Sequence, residues 1–185
     1  MSGPPRNEMT IFQFDECFND RSLAEDCIAQ NLAMVYRYPR RMRGKDDSDV
    51  LREFMDKSNP LVTEDLDIVR DHLEHMPDCH PGVVAINNGR GNPETITTRI
   101  IRRILSRFKS MFPDWHRADL RNTILEITPE SVELFHVENG RLIRDHYLPF
   151  DRSEWNSIAA ETLARNASRA RHTEERTLPD QKAEG

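Results

Sequence analysis

The sequence predicts an α/β fold, a mainly parallel sheet with helices on both faces, an added C-terminal β-meander and a final helix. Three observations predict it. Short apolar runs alternate with segments of helical period up to about residue 111, the pattern of strands returned by crossover helices. Val83-Val-Ala-Ile86 is apolar at every position, as in a strand buried on both faces. Asn139-Gly140, a favoured two-residue hairpin turn, joins two late strand-like runs.

With 185 residues the chain suits one domain and an appendage. The expected division is a flexible segment 1–9, a domain over 10–150, and a helix and tail over 151–185 that is disordered beyond about Arg171. Hydrophobic residues make up 37% and charged residues 31%, and the polarity collects at the ends. No apolar run approaches the roughly 20 residues a membrane helix needs, and the first residues lack the hydrophobic centre of a signal peptide. Cys17, Cys27 and Cys79 form no C-x-x-C pair, which fits a reducing compartment. A cytoplasmic protein with no membrane partner is expected. The net charge of -6 repels nucleic acid overall, so any such function must rest on a local basic surface.

Ile11-Phe-Gln-Phe14 alternates large apolar and polar positions and then meets Asp15-Glu16, as a strand running into a loop does. Asn19 is placed to cap a helix to about Gln30, and Ala33-Met-Val-Tyr36 reads as the second strand. Arg37, Tyr38, Arg40, Arg41, Arg43 and Lys45 form a basic, aromatic loop broken by Pro39 and Gly44. Asp46 or Asp47 then caps an amphipathic helix to Lys57, with Val50, Leu51, Phe54 and Met55 on one face. Leu61-Val-Thr63 is a buried strand that ends at Glu64, Asp65 and Asp67, where a helix begins and continues to about His75 before Pro77. After the Val83–Ile86 strand, Asn92-Pro93 opens a long helix to about Met111. Its outer face carries Arg99, Arg102, Arg103, Arg107 and Lys109. Residues 122–127, 132–137 and 141–148 form the meander, and Ser153 caps the last helix with Trp155, Ile158, Ala159 and Leu163 inward.

Asp15, Glu16, Asp47, Asp65 and Asp67 all fall where a strand gives way to a helix. Taken singly, Asp47 is an ordinary cap and Glu64 to Asp67 are what a first helical turn favours. As a set converging on one edge of the sheet they read as ligands for a hard cation, Mg2+ or Mn2+, which carboxylate oxygens suit.

The motifs Phe14-Asp15-Glu16, Gly44-Lys-Asp-Asp47 and Val62-Thr63-Glu-Asp65-Leu-Asp67, with His80-Pro-Gly-Val-Val84 and the closing Asn139-Gly140-Arg141 and Leu148-Pro149, resemble in order those of PIN-like domains, in particular small bacterial stand-alone members. The resemblance spans about Thr10 to Pro149 and departs at Cys17, at Ile68 and in the tail. It implies a three-layer α/β/α PIN-like fold and a metal-dependent ribonuclease, a hydrolase and often the toxin of a toxin–antitoxin pair. By that resemblance Asp15, Asp47, Asp65 and Asp67 would hold one or two Mg2+ or Mn2+ ions, with Glu16 behind them and Thr63 steadying a carboxylate or a water by hydrogen bonding. The implied partners are an RNA substrate and an antitoxin protein.

The mixture of aromatics and cations from Arg37 to Lys45 suits a single strand whose bases stack while its phosphates meet arginines, or equally a solvated loop or an acidic partner's dock. His72, His75, Cys79 and His80 match no standard metal spacing and read as surface histidines. Trp155 reads as an anchor pinning the last helix to the body or to a second subunit in a homodimer. Two other readings compete. A PIN-like scaffold without turnover would only bind RNA or a protein. A receiver-like signalling domain would need a hydroxyl residue ending the fourth strand and a lysine ending the fifth, where this chain has Asn87-Asn88 and no lysine.

Overall fold

Among the described residues backbone pairing makes one seven-stranded sheet. Its strands are β1 (Ile11–Phe14), β2 (Met34–Arg37), β3 (Leu61–Thr63), β4 (Val83–Ile86), β5 (Ile124–Ile127), β6 (Ser131–Glu138) and β7 (Arg141–Pro149). They lie in the order β2-β1-β3-β4-β5-β6-β7. The computed structural model describes residues 11–14, 34–37, 44–57, 59–64, 67–86, 118–150 and 154–177, with isolated positions 103, 106, 107 and 110. Three helices are described with them: α1 (Asp47–Lys57), α2 (Asp67–Arg70) and α3 (Trp155–Thr177), together with a 3-10 turn at Leu73–His75.

Strands β1 to β5 are parallel, and β6 and β7 are antiparallel additions at one edge. The meander of residues 122–148 therefore shares its first strand with the parallel sheet. Alternation along each strand sorts side chains to two faces. On one face Phe12, Val62, Val84, Leu125, Val132 and Leu134 pack with Trp155, Ala159 and Leu163 of α3. On the other, Leu61, Val83, Ala85 and Ile124 pack with Val50, Leu51 and Phe54 of α1 and Ile68 and Val69 of α2. Strand β4 is buried at all its positions because both faces are covered there, which is why its sequence is apolar throughout.

Two turns fix the geometry. At Asn139 and Gly140 φ is 51° and 70°, the positive pair that a tight hairpin turn demands. At Gly82 φ is 117°, and a Cβ there would lie 2.7 Å from the Leu120 backbone oxygen, so only glycine lets His80-Pro-Gly turn beneath the segment entering β5.

Three expectations are corrected. The helix expected to continue to His75 ends at Arg70, because His72 N–H bonds back three residues to the Val69 carbonyl and tightens the chain into the 3-10 turn. Residues beyond Arg171 continue α3 as helix to Thr177. Their charges have partners far away in sequence: Arg171 reaches Asp119 at 3.2 Å, and Glu174 accepts from Arg121 at 3.3 Å. His80, read as a surface residue, is fully buried. The expected helix over 20–30, most of that over 92–111, and Ser153 lie outside the described residues, although Arg107 is helical, donates to the Pro129 carbonyl at 3.0 Å and stacks over Phe150.

Candidate functional site

In an open parallel sheet, ligands bind outside the carboxyl ends of the strands, where the order reverses direction. Here the reversal lies between β1 and β3, which pair directly through Gln13 with Leu61 and Phe14 with Val62. Helices returning from parallel strands must start at that carboxyl edge, so the first turns of α1 and α2 begin there. Each first turn is acidic, with Asp47 and Asp49 in α1 and Asp67 in α2.

The described site residues fall as follows. Thr63 ends β3 and is fully buried, so its hydroxyl faces protein and not solvent. Asp67 is exposed and pairs with Arg70 one turn on, at 3.2 Å. Asp47 is exposed, and the Asp46 carbonyl accepts the first helical bonds, from Asp49 and Val50, which makes Asp46 the cap and leaves Asp47 in the first turn. Lys45 is exposed beside it, and with Asp49, Arg52, Glu53 and Asp56 it lines a shallow cavity of about 240 Å³. Arg37 is the last residue of β2, one position later than the sequence reading placed the strand end. Asp15, Glu16, Asp65, Tyr38, Arg40, Arg41 and Arg43 lie outside the described residues.

Two buried polar residues near this edge escaped the sequence reading. Glu126 of β5 is 3% exposed and stands in one cross-strand row with Thr63 and Ala85, on the face that α1 and α2 cover. Arg70 lies 3.6 Å from its carboxylate, so this guanidinium sits between Asp67 and Glu126. Gln13 is 1% exposed, and among the described residues neither its Oε1 nor its Nε2 has a hydrogen-bond partner. Both could have been found in the sequence as polar residues inside otherwise apolar strand runs, where burial without a purpose is costly.

A second polar cluster has a different character. His136 is buried, the Asp145 side chain is 7% exposed, and the two meet at 3.0 Å. The Asp145 carboxylate also accepts from Arg165 at 2.9 Å and Asn166 at 3.1 Å, both on α3. Arg169 Nη1 lies 2.9 Å from His136 Nε2. A guanidinium only donates, so Nε2 is the acceptor and Nδ1 carries the proton given to Asp145. The register slips between Leu134 and Phe135, whose partners are His146 and Arg144, leaving Asp145 unpaired in the bulge. The bulge re-aims its carboxylate toward α3.

His80 Nδ1 accepts from the Gly82 N–H at 3.2 Å, and desolvation pushes the imidazole down from 6.5 to about 3. Burial pushes the Cys79 thiol up, so it offers no ready thiolate. Comparison with protein-family models, curated proteins and solved structures returns no match. Among the described residues no helix is long and apolar enough to cross a membrane.

Proposed function

We propose that this chain is a metal-dependent ribonuclease with a PIN-like, three-layer α/β/α architecture, cutting RNA at the carboxyl edge of its sheet. The observation that carries the reading is the direct pairing of β1 with β3 at the reversal of strand order. In the sequence Asp15-Glu16 follows β1, and Thr63 and the acids at 64, 65 and 67 close β3 or follow it. Two acid-bearing strand ends are thus neighbours, with the acidic first turn of α1 at the same edge.

The donor set fits a hard divalent cation. It is all carboxylate, its described members Asp47 and Asp67 stand in first helical turns that favour ionised acids, and a buried amide, Gln13, with no hydrogen-bond partner among the described residues, lies on β1. Asp15, Asp47, Asp65 and Asp67 would hold Mg2+ or Mn2+, and Glu16 would orient them from behind. Such an ion, when bound, acidifies a coordinated water and stabilises charge on the leaving oxygen of a phosphodiester. Buried Thr63 positions a neighbouring carboxylate, while Arg37, Tyr38, Arg40, Arg41, Arg43 and Lys45 take the phosphates and bases of a single strand. In a toxin–antitoxin setting an inhibitory protein would cover this same surface.

One observation favours a second reading, in which the scaffold binds RNA or protein without turnover. Arg70 already sits against two acids, Asp67 and Glu126, in competition with a cation. The receiver-like reading shares the strand order but lacks its chemistry, since β5 ends at Ile127 and is followed by Thr128-Pro129 with no lysine. RNA cleavage assayed with Mg2+ or Mn2+, in the natural chain and in Asp65→Asn, decides between them. The nuclease reading expects cleavage that chelation and Asp65→Asn both abolish. RNA binding without cleavage would establish the second reading instead.

A further inference from the structure

The turn after α2 gathers three ligand-bearing side chains that the ribonuclease reading does not use. His72, Glu74 and His75 bring one ligand atom each within 4.8 Å of one another, the group of this kind among the described residues. Glu74 Oε1 lies 3.7 Å from His72 Nδ1 and 3.7 Å from His75 Nε2. The two imidazoles stack with ring centres 6.2 Å apart and planes 19° apart.

The local backbone explains the convergence. A 3-10 helix has three residues per turn, so positions i and i+3 eclipse, which sets His75 over His72 with Glu74 beside them. The His75 N–H bonds to the His72 carbonyl at 2.9 Å and the Met76 N–H to the Leu73 carbonyl at 3.0 Å. Buried Val69 and Met76 anchor the turn on either side. The ligand-bearing side chains therefore stand on a braced segment, while their exposure of 29%, 64% and 37% leaves an approach for an ion and water.

The spacing and chemistry can be compared with metal sites. Zinc bonds of ~2.0–2.2 Å to nitrogen and carboxylate oxygen, set at tetrahedral angles, hold neighbouring ligand atoms about 3.4 Å apart. The two Glu74 separations of 3.7 Å close with shifts of a few tenths of an ångström, while the His72 and His75 ligand atoms, within 4.8 Å of each other, close with a larger turn of the imidazoles. Two imidazoles and one carboxylate form a borderline donor set, which suits Zn2+ and discriminates against Mg2+.

We propose that His72 Nδ1, Glu74 Oε1 and His75 Nε2 form a surface site for one Zn2+-class ion, with water completing its coordination. The site is separate from the carboxylate cluster in both residues and preferred metal. An ion there cross-links the turn between α2 and β4 and stabilises the folded chain by mass action.

The test is calorimetric titration of the full chain with Zn2+, in the natural protein and in His72→Ala, His75→Ala, Glu74→Gln and Asp65→Asn, each checked for folding by circular dichroism. One equivalent should bind the natural chain and Asp65→Asn alike, with excess Mg2+ failing to displace it. Each of the other replacements should weaken binding about tenfold or more, as loss of one ligand of three requires. Glu74→Gln alters an exposed residue and keeps the question open to test if a histidine variant fails to fold. Absence of Zn2+ binding, displacement by Mg2+, or unchanged affinity in folded His72→Ala, His75→Ala or Glu74→Gln would overturn the assignment. Loss of RNA cleavage in Asp65→Asn with Zn2+ binding intact would leave it standing.

Discussion

Asp145 and Asp67 carry the same chemical group and occupy opposite kinds of environment. Asp145 is 7% exposed in its side chain and accepts from His136, Arg165 and Asn166. Asp67 is 70% exposed and makes an ion pair with Arg70 on the same helix. The first carboxylate is consumed in fastening α3 to the β6–β7 hairpin, its lone pairs turned to fixed donors in low dielectric. The second stands at a helix N-terminus, facing water, in a position to exchange partners. The difference shows how an acid used for structure is distinguished from one available for chemistry: by the number and rigidity of its donors, with residue type and charge held equal.

The comparison is most strongly tested by removing each carboxylate. Asp145→Ala strands the donors of buried His136 and Asn166 and unpairs the half-exposed Arg165, and should cost about 3–5 kcal/mol of unfolding free energy in urea titrations. Asp67→Ala, at the other extreme, should change stability by less than ~0.5 kcal/mol, since exposed pairs contribute little. Similar costs for the two would erase the distinction.

Acid should act on the buried side of the molecule first. His80 has a folded-state pKa near 3 against 6.5 in the unfolded chain, so the unfolded state takes up the proton first as pH falls. Its contribution is constant above pH 6.5 and is lost between 6.5 and about 3, at about 1.4 kcal/mol per pH unit. Denaturant unfolding at pH 7 and pH 5 should show this slope in the natural chain and lose it in His80→Gln. An equal slope in both would assign the acid sensitivity elsewhere. A smaller effect is expected one turn away, where Gly82→Ala should cost more than about 1 kcal/mol because φ is positive and Leu120 blocks the new methyl. Thermal unfolding of that variant measures it, and no loss would mean that the turn relaxes freely.

Much of the frame was legible in the sequence because period and turn chemistry are local. Residues 47–57 and 61–63, the run Val83–Ile86 and the Asn139-Gly140 turn stand where pattern placed them. What was not legible depends on partners distant in the chain. Arg171 and Glu174 look like residues of a polar tail, and they are helical because Asp119 and Arg121 receive them. The bulge at Asp145 inserts a single residue and leaves no periodic signal. Glu126 sits in an apolar strand and was read through as strand, although a buried acid beside Arg70 marks the row that Thr63 occupies. The contact of Arg70 with Glu126 spans two elements far apart in the sequence and leaves no local signal. At the carboxyl edge β1 and β3 pair side by side, and Asp15, Glu16 and Asp65, which follow them in the sequence, lie outside the described residues.

The most direct measurement is Mn2+ binding to the full chain, followed by electron paramagnetic resonance, in the natural protein and in Asp15→Asn and Asp65→Asn. If the acids after β1 and β3 share one cation, each single replacement removes the bound signal. Undiminished Mn2+ binding in either variant would contradict the shared site.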